Sequence, residues 1–332
     1  MYKEIEKLFN AKIPIISIPQ LSEYFLNRQI KTLDYDNILN FITLYKNKYN
    51  KNYKEYIKDK NIIFEFLLNK IKNSDIENLM KTTEVKLQNK IKNKNNVIHI
   101  LKNQKEDKTI IGFDIKEGNF NAYKFLYHKI LSKEEKEKIK DKTSKLIINK
   151  ETFKEFAKEL LKENDKFKQH IELIDILISS KSFRQNLFGN LTPKENTKIL
   201  MYITLNVAET LKEFNTEILI ESQDEKLYLL DEKEQSKFKE QLLEKNNEFF
   251  NILRIEEKEI ELIEELKSIS TNKGKLYYKE RVKTKNNWKL KGVPKKLYIP
   301  MYIKYIEEEE IKEKDLYTED DGNIYKLILN YK

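Results

Sequence analysis

Three carboxylates stand where phosphoryl-transfer chemistry would need them. Asp114 closes a short apolar run, Thr109-Ile110-Ile111-Gly112-Phe113, whose composition predicts a buried strand. Asp224 and Glu225 lie side by side in Ser222-Gln223-Asp224-Glu225, the polar tip between two apolar runs over Glu217 to Leu230 that predict a β-hairpin. Two-metal phosphoryl transfer needs divalent ions about 3.5–4 Å apart on oxygen ligands from rigid elements, and strand ends and hairpins are rigid. The candidate catalytic residues are therefore Asp114, Asp224 and Glu225, with Asp114 and Asp224 as candidate ligands of Mg2+ or Mn2+. Between them along the chain, Lys181 and Arg184 supply cations suited to a triphosphate or a nucleic-acid backbone.

Other chemistries lack their parts. There is no cysteine, which removes a disulfide framework, a thiolate metal site and a cysteine nucleophile together. His99, His128 and His170 are far apart in sequence and are expected to be structural or exposed rather than to share a zinc ion. No Gly-x-Ser-x-Gly elbow occurs, and the six glycines are scattered singly, so neither a serine hydrolase nor a glycine-rich phosphate loop is indicated. No apolar run approaches the ~18 residues a membrane span requires, so no membrane partner and a cytoplasmic location are expected.

A second feature is charge. Thr271 to Lys304 holds eleven basic residues, among them Lys273, Lys275, Lys279, Arg281, Lys289, Lys291, Lys295 and Lys296, against the single acid Glu280. Trp288 and several tyrosines are interleaved, so lysines to neutralise phosphates alternate with flat faces for bases to stack on. Gly274, Gly292, Pro294 and Pro300 punctuate the segment and favour short strands and turns. The competing reading is a β-rich subdomain with tyrosines inside and lysines in water. An upstream stripe, Tyr45, Tyr49, Tyr53 and Tyr56, has the spacing of one helix face and is read as the buried side of an amphipathic helix.

The order of these motifs resembles the palm of template-dependent DNA polymerases of the bacterial polymerase I family. There, a strand ending in a metal-binding aspartate comes first, as Phe113-Asp114-Ile115 would here. A helix with a basic residue followed by Asn-Phe-Gly comes next, to which Arg184-Gln185-Asn186-Leu187-Phe188-Gly189 is similar, and a hairpin with His-Asp-Glu comes last, to which Gln223-Asp224-Glu225 is similar. The resemblance spans residues 109–230 and implies nucleotidyl transfer on DNA or RNA with Mg2+ or Mn2+. Asn119 and Asn121 stand where that family carries a glutamate and an arginine, and Leu187 interrupts the second motif. The implied protein is a nucleic-acid binder on a palm-like core with degenerate or low nucleotidyltransferase activity. The alternative is a non-enzymatic interaction protein, such as a phage-type inhibitor of a host ribonucleoprotein or defence complex.

Positioning these residues calls for an α+β chain in four parts. Residues 1–108 read as a mostly helical region, with an extended piece at Ile15 to Ile18 and a boundary in the Lys- and Asn-rich stretch Lys86 to Asn96. Residues 109–230 read as the palm-like α+β domain, its helices including one entered at Pro193. Residues 231–270 read as a long helical segment with a solvated, charge-dense face. Residues 271–332 read as the basic, aromatic, β-rich region, ending in a strand near Ile324 to Leu329.

Overall fold

The structure is a computed structural model that describes residues 40–41, 43–50, 52–87, 91, 93–102, 108–268, 274–285, 288–293, 298–308, 317–320 and 323–326. The expected extended piece at Ile15 to Ile18 and the cations Lys273, Lys295 and Lys296 lie outside the described residues. The chain is α+β and divides into two units: residues 1–90 with 115–203, and residues 91–114 with 204–332.

The first unit is helical. Its described elements are α1 (Tyr53–Lys72), α2 (Asp75–Thr82), then, after the strand that precedes it, the Gly118–Phe125 helix with a π-helical turn over Leu126–Ile130, and the helices Lys133–Glu137, Lys142–Asn149, Phe153–Lys162, Ile171–Ser179 and Lys181–Gly189. Helix α1 forms because Tyr56, Ile63, Leu67 and Ile71 recur on one face and are fully buried, while Asn52 caps its first turn by accepting from the Glu55 amide. Tyr45 and Tyr49 of the aromatic stripe are also buried, packed edge-on to Tyr56. Phe120, Phe153, Phe156 and Phe188, all buried, pack on one another edge-on or tilted, and Phe188 also meets Tyr123.

The second unit is built on an antiparallel sheet. Its strands are β1 (Lys94–Asn95), β2 (Lys108–Ile115), β3 (Glu217–Glu221), β4 (Glu225–Asp231), β5 (Leu253–Ser268), β6 (Gly274–Val282) and β7 (Lys289–Lys291), with β8 (Tyr317–Asp320) and β9 (Asn323–Lys326) joined to the far end of β5. The order across the sheet is β1-β3-β4-β2-β5-β6-β7. In chain order β2 leads into the helices of the first unit. The Pro193–Thr210 helix then leads to the β3-β4 hairpin, and the Gln235–Glu248 helix to β5. The hairpin and β5 thus flank β2 on opposite sides, the split β-α-β arrangement.

One face of this sheet buries Ile110, Leu219, Leu227 and Leu229 with Val97 and Tyr278. On the other, Tyr228 packs on Phe238 of the Gln235–Glu248 helix, which also meets Phe214. A smaller cluster of Ile263, Tyr277 and Leu290 is closed by Met301 of the Tyr298–Tyr305 helix.

Two expectations are corrected. Residues 231–270 are not one helical segment, since the helix ends at Glu248 and Leu253–Ser268 is the longest strand of the sheet. The glutamates there favour helix by only a few tenths of a kcal/mol each. Glu259 and Glu261 instead stand directly opposite Arg281 and Lys279 of β6, where cross-strand charge pairing and a complete ladder outweigh that preference. Pro300 lies in a helix rather than between strands, and its place in the first turn explains why it is tolerated, because no intrahelical donor is lost there.

Candidate functional site

Two of the three carboxylates singled out by sequence, Asp114 and Glu225, meet in the second unit, while Asp224 is exposed at the hairpin tip. Asp114 and Glu225 are Cα partners in the antiparallel β2-β4 ladder, so alternation puts both on the face that carries Ile110 and Gly112. Gly112 is the device that lets these strands close up: a Cβ there would come within 2.6 Å of both the Lys226 carbonyl oxygen and Leu227 Cδ1.

The hairpin tip is fastened from two sides. Ser222 Oγ accepts from the Glu225 amide at 3.0 Å and donates to Asp224 Oδ1 at 3.1 Å, while Ser222 N donates to the Glu225 carbonyl at 2.8 Å. Thr204, fully buried, donates its hydroxyl to the Gln223 carbonyl at 2.8 Å. One residue along, Lys226 turns to the opposite face and makes a buried 2.6 Å ion pair with Glu221.

Strand β5 contributes what the sequence reading lacked. The Arg254 guanidinium donates to Asp114 Oδ2, and Lys258 Nζ lies 2.9 Å from Glu225 Oε1 and 3.8 Å from Glu280 Oε1. Lys291 in turn lies 3.0 Å from Glu280, whose side chain is buried. A chain of alternating charge, Glu225, Lys258, Glu280 and Lys291, therefore crosses the sheet beside the Arg254-Asp114 pair. Burial raises the Asp114 carboxyl above the ordinary aspartate range; Arg254 opposes this, and the negative charges of Glu225 and Asp224 add to it. The folded environment on balance disfavours the Asp114 charge. A carboxylate desolvated beside a specific charge partner is a candidate for a functional site.

The residues do not fit a resident divalent ion. One oxygen of each carboxylate is already engaged, Asp114 Oδ2 by Arg254 and Glu225 Oε1 by Lys258, and each cation brings a fixed positive charge to where an ion would sit. Among the described residues no group of three or more Asp, Glu or His side chains is arranged to hold a metal.

In the first unit, Arg184 does not present a free cation. Its Nη1 lies 2.9 Å from Glu117 Oε1, whose other oxygen accepts from the Phe153 amide at 2.7 Å. Glu117 itself sits in the left-handed region at φ 44°, just ahead of the Gly118–Phe125 helix. Asn121 is buried and donates to the Lys116 carbonyl, so it serves the local turn, and Asn119 is half-buried. Lys181 is exposed.

The basic segment is neutralised on one side. Lys279 pairs with Glu261 at 2.8 Å, Arg281 with Glu259 through Nε at 2.7 Å and Nη2 at 2.6 Å, and Lys285 approaches Glu256 at 3.7 Å. Trp288 is half-buried, with Lys279 Nζ 4.5 Å and Arg281 Cζ 4.6 Å from its ring centroid, so its indole already serves these cations. Lys283 and Lys289 remain exposed. The side chain of Lys275 is outside the described residues. His99 is exposed, and His170 is buried with Nδ1 3.2 Å from Asp59 Oδ2.

Arg254, Lys258, Gly112 and Thr204 were not found from sequence. Gly112 alone left a signal, a glycine inside an apolar strand run. The two cations were hidden by the helical reading of residues 231–270. No protein family, curated protein or solved structure matches the chain. No described helix is long and apolar enough to cross a membrane.

Proposed function

We propose that the chain is a nucleic-acid-binding protein on a palm-like sheet, with little or no nucleotidyl transfer. The observation that carries this reading is Asp114 opposite Glu225 on adjacent strands, with the hairpin and β5 flanking β2, the arrangement that the polymerase resemblance implies. Occupation of both carboxylates by Arg254 and Lys258, with Asn119 and Asn121 in place of charged residues, supports loss of chemistry with retention of the fold. Exposed Lys283 and Lys289 supply phosphate contacts that β5 does not neutralise.

The test is oligonucleotide binding followed by anisotropy across a salt series, with single strands and duplexes. Binding with steep salt dependence is expected, and Lys283→Ala with Lys289→Ala should reduce the slope by about 1.4, since each single-strand phosphate contact contributes about 0.7. Primer extension with Mg2+ or Mn2+ should be weak or nil. Robust synthesis that Asp224→Ala abolishes would overturn that half of the reading.

A second reading has its own observation. The glutamates of β5 cancel much of the basic strand β6, which favours a non-enzymatic protein that targets another protein or a ribonucleoprotein. Absence of oligonucleotide binding at low salt by the folded chain would put that reading first.

A further inference from the structure

The geometry points to Arg254 and Lys258 as built-in counter-cations: they hold the Asp114-Glu225 pair in place of divalent ions, and removing both turns the pair into a metal site. This rests on reading that pair as the palm-like carboxylates of the proposed function, but its chemistry is set by four side chains within one sheet.

Two carboxylates directly opposite each other on neighbouring strands repel, and something must compensate. A metal-dependent site does so with ions that bring +2 each and demand carboxylate oxygens at about 2.0–2.1 Å. Here the compensation is covalently attached. Arg254 cannot lose its proton and carries donors that match a carboxylate fork. Lys258 is held by two acids at once, Glu225 at 2.9 Å and Glu280 at 3.8 Å, with its side chain only 11% exposed. Bringing a divalent ion in would set it against two fixed positive charges within a few ångströms, in a half-buried place where repulsion is poorly screened.

Removal of the cations reverses the balance. Asp114 and Glu225, Cα partners in the ladder, would then stand opposite each other uncompensated. That is an oxygen-rich, negatively charged concentration on a rigid ladder, the ligand type that Mg2+ and Mn2+ select.

The experiment is calorimetric titration of the full chain with Mn2+ alone, in the absence of nucleic acid. Wild type should show no saturable binding up to about 1 mM, R254Q/K258M should bind at least about tenfold more tightly, and adding D114N should abolish the gain. Melting temperature is the second readout: Mn2+ should raise it for R254Q/K258M and leave wild type unmoved. If the double variant does not fold without metal, R254Q and K258Q singly each release one carboxylate and should still bind Mn2+ more tightly than wild type. Saturable binding by wild type that D114N removes would overturn the inference, and so would folded cation-free variants that bind Mn2+ no better than wild type. Because no oligonucleotide is present, failure of nucleic-acid binding would sink the proposed function without altering this outcome, and the two failures can be told apart.

Discussion

Asp114 faces Glu225 across the β2-β4 ladder, two carboxylates that would repel were Arg254 and Lys258 not bonded one to each. The Asp114 carboxyl is raised by burial despite its arginine, so folding favours its protonated form. A group with a raised folded pKa contributes stability that is fully present below its unfolded value of 3.8 and is lost as pH rises through the folded value. Asp114→Asn should therefore keep or raise the melting temperature at pH 7, the loss of half-exposed Arg254's partner being a small offset. A drop of more than about 5 °C in thermal unfolding would show that the pair is a net stabiliser.

Gly112 sets the approach of the strands that carry this pair. A Cβ would meet the Lys226 carbonyl, which cannot move aside as a flexible side-chain tip can, so the ladder itself must shift. Gly112→Ala should cost about 1–3 kcal/mol, and Gly112→Val more. Urea unfolding would read the loss, and an unchanged midpoint for both would show that the strands have slack at this point.

Helix α2 carries two carboxylates that titrate in opposite senses. Asp75 accepts from the amides of Lys140 at 2.8 Å and Asp141 at 3.0 Å, and these bonds hold its carboxyl below the ordinary range. Its contribution is present above the unfolded value and disappears as pH falls through the folded one. Glu77, fully buried, is raised by desolvation, although Tyr123 donates to it at 2.6 Å and Thr192 at 3.1 Å. Its contribution is lost as pH rises from about 4.5. Asp75→Asn should flatten the acid limb of stability against pH, and Glu77→Gln should remove the decline above that limb. Glu77→Ala, which removes the acceptor shared by Tyr123 and Thr192 and leaves them their weaker 3.4 Å contact with each other, should be more destabilising than Glu77→Gln. Identical pH profiles for all three proteins would rule this assignment out.

Legibility in the sequence followed how local the determining interactions are. Strand β2, the β3-β4 hairpin and the Pro193 helix were readable because apolar runs, a polar tip and a proline at a helix start act within a few residues. The meeting of Asp114 with Glu225 was anticipated from motif order. Strand β5 was not readable: its Leu and Glu content spells helix, and its ladder with β2 and β6, with Arg281 and Lys279 opposite its glutamates, makes it β. With that strand misread, the partners of both carboxylates and the counter-charge of the basic segment were lost together. Trp288 reads as a stacking platform from its neighbours in sequence; that Lys279 and Arg281 of β6 flank its ring follows from the strand pairing and was not legible.

The β5 glutamates make the charge argument testable in the direction of gain. Glu259 and Glu261 stand opposite Arg281 and Lys279 and hold them with bonds of 2.6–2.8 Å, so these cations are spent inside the sheet. Replacing both acids by Gln keeps side-chain size and strand pairing but frees two positive charges on the side of β6 that bears Trp288. If this face meets a nucleic-acid backbone, E259Q/E261Q should bind oligonucleotide more tightly at low salt and steepen the salt slope by up to about 1.4, two contacts at about 0.7 each. Trp288→Ala should weaken binding by about 1–3 kcal/mol with little change in slope, because stacking releases no counterions. Should the double variant fold, gain no affinity and leave the slope where it was, this face does not contact nucleic acid, and the cross-strand pairs serve the sheet alone.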